Sequence, residues 1–181
     1  ADRGWVQISV DQGNGTWSNW SSVANPIEEI DVKVLTTSDW APVSVDLSAY
    51  AGQTVKIAFF HEEYDNTGWP SDEQGPGWYI DDVKIWQGVP QMPALEDFET
   101  GWGDWTTDHG VWEMGVPTSG PGNAHSGSSV VATNLEGNYP AQTDSRLISP
   151  AMMLPTLGSP DERIELRYWQ WYSYSFGNES G

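Results

Sequence analysis

The sequence predicts an all-β chain, an antiparallel β-sandwich of jelly-roll type. Three observations carry that expectation. Short runs of β-branched and aromatic residues alternate with polar ones along the whole length, as half-buried strands do. No window of helix length repeats its apolar residues every 3.6 positions. The runs are punctuated by 19 Gly and 12 Pro, and 12 Trp supply bulk for a core. At 181 residues the chain is long enough for one domain with a substantial core, or for two small ones.

Taken in order, Trp5 to Val10 reads as a first strand, followed by the turn Asp11-Gln12-Gly13-Asn14-Gly15. Two Asn-x-Ser/Thr sequons start at Asn14 and Asn19, and a third starts at Asn178. Ile30 to Leu35 and Val43 to Leu47 alternate, and Ser48 to Gln53 is a turn. Thr54 to Phe60 is a strong strand with Val55, Ile57 and Phe59 on one side. His61 to Gly75 is a long acidic loop broken by Gly68 and Pro70. Gly77 to Trp86 is a strand opened by Gly75-Pro76-Gly77; strict alternation places Asp81 and Asp82 on opposite faces. Gln87 to Leu95, with Pro90 and Pro93, reads as a linker. Short strands follow at Glu96 to Glu99, Val111 to Met114, Ser129 to Thr133 and Arg146 to Pro150. Gly101 to Gly110 is a Trp-rich loop, and Thr118 to Gly127 is a Gly/Pro/Ser loop containing His125. The longest strand is Arg163 to Tyr174, whose uneven alternation predicts a bulge.

Six motifs together resemble a known family. They are Asp97-Phe98-Glu99, Leu147-Ile148-Ser149-Pro150, Leu166-Arg167-Tyr168-Trp169, Trp5 to Asp11, Val45 to Gly52, and Gly77 to Val83. Read in that order, the chain is similar to the MAM-like jelly rolls of bacterial secreted proteins. These include choice-of-anchor J modules and the C-terminal modules of immune-inhibitor-A-type metalloproteases. The order differs here. Residues 1–88 resemble the C-terminal half of such a jelly roll, 89–94 a linker, and 95–181 the N-terminal half. The resemblance implies one jelly-roll unit, closed within the chain or completed between neighbouring chains. It also implies that Trp5 to Val10 pairs with Arg163 to Tyr174, and that Gly77 to Trp86 lies beside Glu96 to Thr100.

The formal net charge is −19, from 26 acidic and 7 basic residues. That balance opposes a nucleic-acid partner and attraction to an anionic membrane. No stretch is apolar enough for membrane insertion. There is no cysteine, hence no disulfide framework. The first residue is Ala1, which reads as a mature or excised piece. The resemblance implies an extracellular or cell-surface location.

Carboxylates within an apolar strand are costly unless paired, hydrogen-bonded or metal-bound. Asp81 and Asp82 therefore stand out as candidate ligands, with solvated acids as the alternative. The resemblance implies a structural calcium held by Glu99 with Asp81 and Asp82, helped by oxygens near Ser126 and Ser128. The acidic loop, with Glu62, Glu63, Asp65, Asp72 and Glu73, is a second candidate metal loop whose spacing sets no geometry. Catalysis is not expected: His61, His109 and His125 are scattered, and no nucleophile elbow, His-Glu-x-x-His pair or phosphate loop occurs. Loop tryptophans, above all Trp69, Trp102 and Trp105, are candidate ligand-binding aromatics, with core packing as the alternative. Two readings of function remain at this point. One is an extracellular structural or adhesive repeat whose partners are copies of itself or adjacent repeats, assembling head-to-tail into a fibre. The other is a module of a secreted hydrolase or metalloprotease that binds a glycan or a surface protein.

Overall fold

The computed structural model describes residues 3–27, 34–36, 39–62, 75–87, 96–141 and 143–175. In chain order the strands are β1 (Arg3–Val10), β2 (Ser21–Ile27), β3 (Val34–Thr36), β4 (Ala41–Asp46), β5 (Thr54–Glu62) and β6 (Gly77–Gln87). Then come β7 (Thr106–Asp108), β8 (Glu113–Gly115), β9 (Val130–Ala132), β10 (Asp144–Ile148), β11 (Met152–Met153) and β12 (Ile164–Ser175). Among the described residues one 3-10 turn, Ser48–Tyr50, interrupts them. All strand pairs are antiparallel, and they form two sheets, as a β-sandwich requires. The first sheet runs β2-β1-β5-β10-β7, with β11 also on β5; the second runs β3-β12-β6-β9-β8, with β4 also on β12.

The inner faces of both sheets meet in one core. Val6 and Ile8 of β1 and Val55, Ile57 and Phe59 of β5 join Trp78 and Ile80 of β6 and Ile164, Leu166 and Tyr168 of β12. Each large side chain sealed this way contributes about 1.5–3 kcal/mol of transfer free energy. Strands from residues 1–88 and from 95–181 pair with one another in both sheets, and interleave in the second. β10 and β11 pair with β5, and β12 pairs with β3, β4 and β6.

Several expectations need correction. β1 does not pair with the last strand; it lies between β2 and β5, while β12 belongs to the other sheet. Both strands bury one face in the shared core, and alternation alone does not distinguish a lateral neighbour from a facing one. The expected bulge in β12 is absent from β12. Its even-numbered residues face inward, including Gln170, whose Oε1 accepts a hydrogen bond from Trp78 Nε1 at 3.0 Å. The irregularity lies in β6: Arg167 pairs with Lys84 but Trp169 pairs with Asp81, so β6 carries one extra residue there. Asp82 takes a positive φ of 53° at that point. The bulge shifts the alternation, so Val83 and Ile85 reach the core and Lys84 and Trp86 face outward.

Glu96 to Glu99 forms no strand. Only Glu96 bridges to Val83, with N–H···O bonds of 2.9 and 3.0 Å, which still sets this segment beside β6. Three strands went unread: β2, an edge strand containing Pro26; β7, inside the Trp-rich loop; and β11, two residues long. Of the strand expected from Ile30 to Leu35, residues 30–33 lie outside the described residues.

Candidate functional site

The bulge decides the site. Asp81 and Asp82 would diverge in a regular strand; here both carboxylates meet the loop before β9. Asp81 Oδ2 accepts the backbone N–H groups of His125 (3.0 Å) and Ser126 (3.2 Å), and its Oδ1 accepts the N–H of Asp82 (2.7 Å). Asp81 is fully buried. Burial pushes its carboxyl up to about 6; the three N–H donors oppose that rise, and the Asp82 charge adds to it.

Asp82 is 7% exposed, and its Oδ2 lies 2.8 Å from His125 Nδ1. The imidazole stacks on Trp169 with centroids 3.9 Å apart and planes 13° apart. Trp40 meets its edge at 6.2 Å and anchors itself through Nε1 to the carbonyl of Asn123 (3.2 Å). The ring is thus fixed on three sides.

Glu99 grips the same loop further on. Its Oε1 accepts the N–H groups of Ser128 (2.8 Å) and Ser129 (2.6 Å), and its Oε2 accepts the Ser128 hydroxyl (3.0 Å). Those bonds, the Ser129 N–H first, hold its carboxyl below the usual value. Gly127 turns between the two grips at φ +62°, and a Cβ there would lie 2.5 Å from the Glu99 carboxyl, so a larger residue would be strained and would push that carboxyl aside. Glu99 is presented by a turn in which Glu96 and Asp97 side chains accept the N–H groups of Phe98 (2.9 Å) and Glu99 (3.1 Å).

The five residues expected to hold calcium therefore surround one loop, but not one point. Ligand atoms of Asp81, Asp82 and His125 lie within 4.8 Å of one another, and Glu99 is outside that group. Ser126 and Ser128 donate their backbone N–H groups, and Ser128 also its hydroxyl, to the carboxylates of Asp81 and Glu99. The carboxylates of Asp81 and Asp82 are of the type that calcium takes; the imidazole is a nitrogen donor better matched to borderline metals. His125 was not foreseen as a partner of these acids. Its only signal in the sequence is being the one imidazole in the Gly/Pro/Ser loop.

In the acidic loop, Glu62 ends β5 opposite Arg3 and Asp144, whereas Glu63, Asp65, Asp72 and Glu73 lie outside the described residues, as does Trp69. Trp105 is not a free platform. It is 8% exposed and packs on Phe59 (6.4 Å) and Phe98 (5.5 Å). Trp102 also packs against the core. Both sit in the loop that folds back over the sandwich; Trp105 is closed off there, while Trp102 stays partly exposed. An open groove lies elsewhere, lined by Trp86, Asp161, Glu162, Glu165 and Arg167.

Over 80 residues the chain is 38% identical to Bacillopeptidase F of Bacillus subtilis (strain 168). The matched stretch is 43% of this chain and 5% of that protein, so the chain spans a small fraction of its relative. No family model matches the chain. No solved structure matches it.

Proposed function

We propose that this chain is a non-catalytic, extracellular β-sandwich module of a larger peptidase-type protein, stabilised by calcium at the Asp81–Asp82 bulge. The carrying observation is the use made of the acids. Asp81 Oδ2 and Glu99 Oε1 accept backbone N–H groups of a single loop, and His125 is locked between Asp82 and Trp169. Groups tied up in this way support loops; they are poorly placed to move protons on a substrate. The partial similarity to Bacillopeptidase F favours an accessory part of a peptidase-type protein. Calcium would take the two adjacent carboxylates and offset their mutual repulsion, with Glu99 holding the loop from the other side.

Thermal melting tests the calcium reading. Calcium at a hundredfold excess over its Kd should add about 2.7 kcal/mol of stability, and chelator should reverse the gain. Asp82→Asn should abolish the response while Glu99→Gln leaves it in place, because Glu99 is outside the ligand group. A melting curve indifferent to calcium and chelator removes calcium from the account.

A second reading, binding of a glycan or surface protein, is favoured by the groove at Trp86. There an aromatic ring, carboxylates and guanidinium groups converge on an open surface, and Arg167 lies 4.1 Å over the Trp86 ring. A glycan array probed with wild type and Trp86→Ala tests it. Binding that the substitution leaves unchanged rules the groove out.

A further inference from the structure

We propose that Asn14 is a site of self-assisted deamidation, converting through a succinimide to aspartate and isoaspartate with water as the co-reactant. The turn that joins β1 to the Trp17 bridge is exposed from Asp11 to Thr16. Within it Asn14 is followed by Gly15, which sits at φ +82° with open space where a Cβ would be. No hydrogen bond engages the Gly15 amide among the described residues, so this nitrogen is available as a nucleophile.

The carbonyl it would attack is already activated. Asn14 Oδ1 accepts the backbone N–H of Thr16 at 3.0 Å and the Thr16 hydroxyl at 2.5 Å. When the Gly15 nitrogen, deprotonated by solvent base, bonds to Asn14 Cγ, negative charge develops on Oδ1. Two donors are in position to receive it, the arrangement that stabilises tetrahedral intermediates in acyl transfer. The intermediate expels the side-chain nitrogen as ammonia, which takes its proton from solvent. Water then opens the cyclic imide at either carbonyl. The net change is one amide plus water to one carboxylate plus ammonium, with no redox step.

Three other described asparagines, Asn134, Asn138 and Asn25, lack part of this arrangement. Asn134 has the activated carbonyl, since its Oδ1 accepts the N–H groups of Glu136 (2.9 Å) and Gly137 (3.0 Å). Its nucleophile is occupied: the Leu135 N–H donates to Glu113 Oε2 at 2.9 Å. After Asn138, the Tyr139 N–H is held by the Gly75 carbonyl at 3.0 Å. Asn25 precedes Pro26, which has no N–H. Asn14 combines a free amide, a residue without Cβ and two donors. Its conversion adds a negative charge to the turn and destroys the Asn14-Gly15-Thr16 sequon.

The purified chain, incubated in mildly alkaline buffer, is to be followed by peptide mapping and by enzymatic isoaspartate labelling. Asn14 is expected to convert ahead of every other asparagine. Thr16→Val, which removes the hydroxyl donor but keeps the shape, should slow it several-fold; Thr16→Ser should keep the wild-type rate. Melting curves of both variants verify that the fold is intact. Equal rates in wild type and Thr16→Val, or conversion of Asn14 no earlier than of other asparagines, would overturn the proposal.

Discussion

His125 Nδ1 lies 2.8 Å from Asp82 Oδ2, and the same imidazole lies flat on Trp169. One side chain thereby ties the loop before β9 to β6 and to β12. His125→Ala should cost about 1–3 kcal/mol, the range for losing a hydrogen bond to a charged group that is almost buried. The loss should appear in denaturant melts. Amide exchange should rise first in residues 123–129, before the sheets respond. Uniform loss of protection across the core would mean that the ring has no local role.

Glu99 makes its own prediction. Its carboxyl is held below the usual value, so its grip is complete above that value and is lost as pH falls through the lowered one. Exchange protection of the Ser128 and Ser129 amides should therefore fall on acidification. Glu99→Gln should remove that pH dependence. Gly127→Ala should weaken the grip at neutral pH, since the added methyl group would collide with the carboxyl.

His61 should couple stability to pH in the opposite direction from Asp81. It is fully buried, its Nδ1 lies 3.1 Å from the Tyr174 hydroxyl, and burial pulls its pKa down from 6.5 to about 3. A group held neutral in this way stabilises the fold above 6.5, and its contribution is lost as pH falls from 6.5 towards 3. Asp81, raised to about 6, gains stability over part of the same window as it protonates. His61→Phe separates the two. The difference between wild type and variant should change by about 1.4 kcal/mol per pH unit inside the window and be flat above it. A constant difference at all pH values would contradict the neutral, buried assignment.

The interleaved strands predict that residues 1–88 and 95–181 do not fold alone. Without β12 the second sheet loses the strand that β3, β4 and β6 all pair with. Without β5 the first loses the partner of β1, β10 and β11. Each fragment should give a flat circular-dichroism melt or aggregate. Mixing the two should restore a cooperative transition. Two fragments that each unfold cooperatively would show two independent units.

The strands that organise the core were readable because their alternation is strong: β1, β5 and much of β6 follow the residues that predicted them. The site was only partly readable. That carboxylates in an apolar strand need partners followed from desolvation cost, and Asp81 and Asp82 have them. Which partners depended on the extra residue in β6, and one residue suffices to exchange inside for outside. The bulge expected in β12 came from its uneven alternation: Gln170 is a polar side chain turned inward, marked only by its bond to Trp78, which lies 92 positions away. The Trp105 loop reads as a Trp-rich loop whose rings could bind a ligand or pack in the core; Trp105 packs on Phe59 and Phe98, and only tertiary packing decides that.

The central position of β12 bears on when this chain can fold at all. β12 follows every other described strand in the chain, and β3, β4 and β6 all pair with it. Until it emerges, the earlier strands have no completed second sheet, and the most distant pairings carry the largest loop-closure cost. Synthesis therefore runs ahead of structure.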